Sequence, residues 1–226
     1  MRLDGWTLAF DLDGTLVETA PDLIGVLNLL LDEHGLPQAP LAAARHLVGS
    51  GARVMLEHGF AEAGRILTSE EADDLVERFI DLYRDRLALE SRPFDGVPKA
   101  LDQLSDAGAR LVVCTNKRTD LSIGVLEGLG LLDRFAAVVG ADLVSARKPE
   151  PAHLIESVRQ AGGDPARCLM IGDSLNDLAA ARGAGAPVIL VSFGYTEIPA
   201  RDLGADLVID HFDQLADSLR TLLARS

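Results

Sequence analysis

The chain has 226 residues, of which 48% are hydrophobic and 25% charged, which is typical of a soluble globular protein. A formal charge of −14 argues against a nucleic-acid partner, because the phosphates would be repelled over most of the surface. No apolar run approaches the length of a membrane span, and the first residues lack the apolar core of a signal peptide. We therefore expect a cytoplasmic protein without a membrane partner.

The first predicted element is a buried strand at residues 8–10, followed directly by two aspartates one residue apart. Leucine and valine at helical spacing then predict a helix from Pro21 to Gly35. A capping signal at residues 68–71 predicts the start of a long helix. Because no strand-like run occurs from residue 18 to about 92, we predict an inserted helical cap at residues 18–94.

The remainder of the chain alternates between strands and helices. Apolar runs predict strands at residues 111–114, 137–140, 168–171, 188–191 and 207–209, with helices between them. Such continuous apolar strands are typical of a parallel sheet that is covered on both faces. We therefore predict an α/β fold, a doubly wound parallel sheet with a Rossmann-like core formed by residues 1–17 and 95–226, from which the helical cap projects.

Polar side chains follow four of these strands. In open α/β sheets the ligand binds beyond the carboxyl ends of the strands, so we expect these side chains to share one crevice. They are Asp11, Asp13, Thr115, Asn116, Lys117, Lys148, Asp173 and Asp177.

The carboxylates of this set are suited to a hard divalent cation, which prefers oxygen ligands. Asp11 and Asp173 would supply carboxylates to Mg²⁺, Asp13 its backbone carbonyl, and Asp177 a contact through water. Lys148 would neutralise this cluster and hold the nucleophile and a phosphate.

The same residues suggest phosphate chemistry. Two carboxyl groups this close are suited to act as a nucleophile beside an acid, and Asp13 would act as general acid and then as general base if it reaches the leaving oxygen. Thr115 would donate a hydrogen bond to phosphate, with Asn116 beside it. Each residue also has an ordinary structural alternative: an acidic turn, a helix cap or a solvated lysine.

Four segments of the chain resemble the ordered motifs of the haloacid dehalogenase superfamily: FDLDGTL, VCTNK, RKPEP and GDSLND. Longer segments, FDLDGTLVETAPDL, VGSGARVML and VVCTNKRTD, are similar to the bacterial phosphoglycolate phosphatases within it. The resemblance implies a Mg²⁺-dependent phosphomonoesterase that forms an aspartyl-phosphate on Asp11. It also implies the acid/base role of Asp13 and the phosphate-binding roles of Thr115 and Lys148.

Substrate specificity is expected to reside in the cap, and the segment of residues 49–53 is the best candidate. Gly51 would let backbone N–H groups approach an anion, and Arg53 would bind the carboxylate of 2-phosphoglycolate. The alternative is a helix-start loop with a solvated arginine.

We expect a small phosphorylated metabolite as substrate, and a monomer or homodimer. Hydrolysis of a sugar phosphate or pyrophosphate, a phosphosugar mutase, and a catalytically silent binding protein remain alternatives. A Schiff-base hydrolase is disfavoured, because residues 18–94 contain no lysine.

Overall fold

The computed structural model describes residues 2–49, 51–196 and 198–224. Ser50, which belongs to the predicted anion-binding segment, lies outside these ranges. A six-stranded parallel sheet has the order β5-β4-β1-β6-β7-β8. Its strands are β1 (Thr7–Phe10), β4 (Arg110–Cys114), β5 (Ala137–Val139), β6 (Cys168–Gly172), β7 (Val188–Val191) and β8 (Leu207–Ile209). The order reverses at β1, which places the ends of β1, β4 and β6 side by side.

Hydrophobic layers cover both faces of the sheet. Along β4, Leu111 and Val113 pack into one cluster, whereas Val112 and Cys114 pack into the other. This alternation reflects the twofold repeat of a strand whose two faces are both buried. The flanking helices are α5 (Val97–Asp106), α6 (Thr119–Gly128), α7 (Pro151–Gln160), α8 (Leu175–Gly183) and α9 (Leu215–Leu223). The predicted doubly wound α/β fold is confirmed.

The cap contains α1 (Ala20–Glu33), α2 (Leu41–Ala44), α3 (Ala52–Glu62) and α4 (Ser69–Arg84). The predicted capping signal forms a capping box, in which the Thr68 hydroxyl accepts a hydrogen bond from the backbone N–H of Glu71, and the Glu71 carboxylate accepts one from the backbone N–H of Thr68. Sequence periodicity did not predict α2, because four residues are too few to show a helical repeat.

Two short strands join the cap to the sheet domain. β2 (Val17–Glu18) pairs antiparallel with β3 (Arg92–Pro93), so both crossings of the chain lie side by side. Asp22 near the start of α1 accepts hydrogen bonds from the backbone of Glu90 and Ser91, at 2.9 Å each. The predicted boundaries between core and cap, at residues 17/18 and 94/95, stay a prediction. No helix within the described ranges is both long and apolar enough to span a membrane.

Candidate active site

A cavity of about 610 Å³ lies between the cap and the carboxyl ends of the sheet strands. Its size falls within the range of small-molecule sites. All predicted site residues except Asp177 line it. From the core these are Asp11, Asp13, Thr115, Asn116, Lys117, Lys148 and Asp173, and from the cap they are Gly51 and Arg53. Residues far apart in sequence therefore converge on one cavity.

The chain turns sharply after β1, which lets both aspartates of the first motif face the cavity. The carbonyl of Leu12 accepts hydrogen bonds from the backbone N–H groups of Leu16 and Val17, each at 3.0 Å. In a regular strand, residues two apart share a face, but the second lies farther along the sheet. Here the turn ends the strand at the edge of the sheet, so Asp11 and Asp13 both lie at the cavity. Gly14 adopts a φ of +81° within the turn, a conformation that favours glycine.

Asp11 is held through one carboxylate oxygen. Its Oδ1 lies 3.0 Å from Lys148 Nζ and accepts a hydrogen bond of 2.8 Å from the backbone N–H of Leu12. No described residue donates a hydrogen bond to Oδ2. Burial raises the pKa of Asp11 to about 6, although the positive charge of Lys148 opposes that rise. Asp11 is thus oriented by two donors and keeps one oxygen available.

Asp177 supports this arrangement from behind the cavity. Its Oδ1 pairs with Lys148 Nζ at 2.6 Å. Its Oδ2 accepts hydrogen bonds from the backbone N–H groups of Asp173 and Ser174 and from Ser174 Oγ, in a capping box that opens α8. Both oxygens are therefore engaged, which is compatible with the expected indirect role of Asp177 toward a metal.

The residues present fit a divalent cation. Carboxylate oxygens of Asp11, Asp173 and Asp177 lie within 4.8 Å of one another, a set of hard oxygen donors. Burial raises the pKa of Asp173 well above its usual range, and the charges of Asp177 and Asp11 raise it further. Clustered carboxylates that repel one another in this way are stabilised by a cation.

Lys117 is a site residue to which sequence reasoning gave no role. Its Nζ lies 3.1 Å from Asp13 Oδ1 and 3.3 Å from Oδ2, and the two side chains are only 7% and 11% exposed. The same ammonium lies 4.5 Å from the ring centroid of Tyr83 on α4. Burial opposes the charged form of Lys117, but Asp13 and Tyr83 outweigh it and raise its pKa above the usual value. The acid/base candidate is thus paired with a lysine beneath the cap.

The predicted phosphate-binding pair is held by backbone contacts. Thr115 is buried, and its Oγ1 accepts a hydrogen bond from the backbone N–H of Lys117. Asn116 donates a hydrogen bond of 2.9 Å to the carbonyl of Lys148, and its Oδ1 has no described partner.

The backbone N–H of Lys148 donates to Nδ1 of His153, so Nε2 of that ring carries the proton and lies 3.3 Å from the carbonyl of Val139. Burial lowers the pKa of His153 to about 4.

Arg53 lines the cavity but is already paired with two acidic side chains of the cap. It donates to Glu57 at 2.9 Å and also to Asp73. The spacing of four residues on one helix could have predicted the pairing of Arg53 with Glu57. Nothing in the local sequence indicates its pairing with Asp73 on α4. Binding of a substrate carboxylate by Arg53 therefore stays a prediction. The substrate carboxylate would compete with Glu57 and Asp73 for the guanidinium.

Comparisons with known proteins agree with the fold. The profile of the haloacid dehalogenase-like hydrolase family matches residues 8–191. The phosphoglycolate phosphatase of Caulobacter vibrioides is 54% identical, over 98% of this chain and 93% of its own. The N-acetylmuramic acid 6-phosphate phosphatase of Pseudomonas aeruginosa is 38% identical, over 97% of this chain and 96% of its own. The crystal structure of a predicted phosphoglycolate phosphatase from Haemophilus somnus superposes with a TM-score of 0.88 at 31% identity, covering 97% of this chain and 99% of that one.

The chain belongs to the haloacid dehalogenase-like hydrolase family. Relatives that match nearly its whole length are phosphatases, so within the family it is an enzyme of the phosphatase class. The resemblance predicted from the four sequence motifs is confirmed.

Proposed function

We propose that the chain is a Mg²⁺-dependent phosphomonoesterase whose favoured substrate is 2-phosphoglycolate, which it converts to glycolate and inorganic phosphate. The main observation in support of the proposed chemistry is the geometry of Asp11. Lys148 and the backbone N–H of Leu12 hold its Oδ1, while its Oδ2 has no described hydrogen-bond donor. A largely buried carboxylate that is oriented by a cation and keeps one oxygen free is suited to attack on phosphorus.

The first half of the proposed reaction transfers the phosphoryl group to the enzyme. An oxygen of Asp11 forms a bond to phosphorus as the bond between phosphorus and the glycolate oxygen breaks. Asp13, which is paired with Lys117 in the substrate-free chain, takes up a proton on substrate binding and gives it to that leaving oxygen. Thr115 and Lys148 donate hydrogen bonds to the phosphoryl oxygens.

The second half returns the enzyme to its starting state. Asp13, now a carboxylate, takes a proton from water as the water oxygen attacks phosphorus. The bond between phosphorus and Asp11 then breaks and inorganic phosphate leaves. The carboxylates of Asp11 and Asp173 and the backbone carbonyl of Asp13 would hold Mg²⁺, which when bound offsets negative charge on the phosphoryl oxygens.

The preference for phosphoglycolate is supported by the name of the relative that is 54% identical and by the cations that line the cavity. It is tested by phosphate release from 2-phosphoglycolate, several sugar phosphates and pyrophosphate, each with Mg²⁺ and with chelator. A large kcat/KM preference for phosphoglycolate is expected. Broad, weak hydrolysis of the whole panel would contradict the substrate assignment while keeping the chemistry.

A sugar phosphate is the second candidate substrate, because one relative is a phosphatase of N-acetylmuramic acid 6-phosphate and the cavity of about 610 Å³ exceeds the needs of a two-carbon acid. Including that compound in the panel separates the two. Conversion of β-glucose 1-phosphate without phosphate release, after priming with a bisphosphate, would instead indicate a mutase.

Arg53 is proposed to recognise the substrate carboxylate with help from the backbone near Gly51. Arg53→Ala is then expected to raise KM for 2-phosphoglycolate far more than for a neutral phosphomonoester such as phenyl phosphate. Equal effects on both substrates would remove Arg53 from substrate recognition and leave it as a partner of Glu57 and Asp73.

A further inference from the structure

Tyr195, in the loop that follows β7, joins the core to the first crossing into the cap. Its hydroxyl donates to Glu18 Oε1 at 2.7 Å and accepts from the backbone N–H groups of Thr19 at 2.8 Å and Ala20 at 3.1 Å. A phenol has one donor and two acceptor positions, so these bonds use its full capacity. Thr19 and Ala20 begin α1, and Thr19 makes no capping bond with its own side chain. A core residue therefore caps the first helix of the cap.

The other side of Tyr195 contacts the metal-binding carboxylates. Its backbone N–H donates a hydrogen bond of 2.7 Å to Asp173 Oδ2. Its ring packs so closely on the turn after β1 that a Cβ added at Gly14 would lie 2.8 Å from Cδ2. The side chain is 5% exposed, so little freedom remains for the ring to move independently of its backbone. One residue thus touches both Asp173 and the first crossing of the chain into the cap.

Arg45 holds the same loop from the cap side. Its Nη2 lies 2.6 Å from Glu18 Oε2 and donates at 3.2 Å to the carbonyl of Phe193. Its guanidinium lies 5.1 Å from the centroid of the Tyr195 ring. Arg45 follows α2, well beyond the first crossing into the cap, so these contacts exist only while the body of the cap lies over the core. Movement of the cap would release Glu18, Phe193 and the Tyr195 ring together.

We propose that Tyr195 is a positioning residue that couples the cap to the metal site: the cap, through Arg45 and Glu18, fixes the loop of residues 193–195 so that its backbone N–H stays on Asp173. Cap contact thereby strengthens Mg²⁺ binding, and Mg²⁺ binding favours the cap position in which Arg45 is engaged, since coupling between two sites is reciprocal. The inference rests on the proposed function, because it takes Asp173 as a metal ligand.

The test measures Mg²⁺ affinity of the full chain by titration calorimetry, without substrate. Tyr195→Phe removes only the hydroxyl and is expected to weaken Mg²⁺ binding about tenfold, the scale of losing a hydrogen bond to a charged group. Arg45→Met is expected to weaken it in the same direction. Removal of a positive charge would by electrostatics alone strengthen cation binding, so the sign of the Arg45 effect separates coupling from simple charge.

Arg78→Met is the matched control, because Arg78 also pairs with a cap carboxylate, that of Glu33 at 3.2 Å, but lies away from the cavity. It is expected to leave Mg²⁺ affinity unchanged. Unfolding transitions in chelator establish that each variant is folded.

Wild-type Mg²⁺ affinity in both Tyr195→Phe and Arg45→Met would overturn the coupling and leave Tyr195 a helix cap alone. Tighter binding in Arg45→Met would overturn it as well. Absence of Mg²⁺ binding by the wild-type chain would overturn the proposed metal site and this inference with it, a result distinct from equal binding by all variants.

Discussion

Lys117→Met removes the partner of a nearly buried carboxylate and keeps most of the side-chain volume. In the wild-type chain the ammonium lies 3.1 Å from Asp13 Oδ1 and 4.5 Å from the centre of the Tyr83 ring. The variant leaves Asp13 charged, 11% exposed and unpaired. Breaking a buried ion pair on one side costs about 3–5 kcal/mol, and we expect the lower end because the pair borders a cavity.

The loss is measured as the free energy of unfolding in urea at neutral pH, in chelator. Lys117→Met is expected to lower it by about 3 kcal/mol, and the double variant Asp13→Asn, Lys117→Met to recover most of that loss because the buried charge is gone. Lys99→Met is the matched control: Lys99 lies at the same distance of 3.1 Å from Asp213, but the two side chains are 66% and 54% exposed. No measurable loss is expected there.

Equal losses in Lys117→Met and Lys99→Met would refute the reasoning, since burial is the difference between the two pairs. Strictly additive effects in the double variant would also refute it, because they would mean that the charges of Asp13 and Lys117 do not interact.

Two further predictions concern pH and backbone conformation. Burial lowers the pKa of His153 to about 4. Below about pH 6.5 the unfolded chain therefore binds a proton that the folded chain does not, so the free energy of unfolding decreases as the pH is lowered. The stability difference between wild type and His153→Gln should therefore shrink by about 2 kcal/mol from pH 7 to pH 5 in urea titrations; a constant difference would exclude this titration. Gly14→Ala places a Cβ 2.6 Å from Asp173 Oδ2 at a φ of +81° and should abolish phosphatase activity. Gly204→Ala, at a φ of +82° in open space, should cost only about 1 kcal/mol and keep activity; equal activities would contradict the contact.

Much of the fold follows from local patterns in the sequence. Residues 8–10, directly before Asp11, form an unbroken apolar run, and the cap helices α1 and α4 show helical spacing, with a capping box at Thr68. Parallel strands bring their carboxyl ends to one edge, so a polar residue after each strand was enough to predict which side chains meet.

The pairings within the site could not be predicted in this way. Lys117 and Asp13 lie 104 residues apart, and only the packing of α4 over the strand ends places the ring of Tyr83 on the same ammonium. The bond from Tyr195 to the start of α1 likewise joins residues 176 apart. Composition and periodicity carry no information about which polar groups satisfy each other across a fold.

The central claim is that Asp11 is the nucleophile, and the most direct measurement is mass spectrometry of enzyme quenched with acid during turnover of 2-phosphoglycolate with Mg²⁺. We expect a phosphoryl group on the peptide that contains Asp11. In Asp11→Asn we expect neither a phosphorylated peptide nor turnover, and an unfolding transition measured without Mg²⁺ shows that this variant folds. Turnover by Asp11→Asn at a rate near that of the wild type, or a phosphoryl group on a different peptide, would contradict the claim.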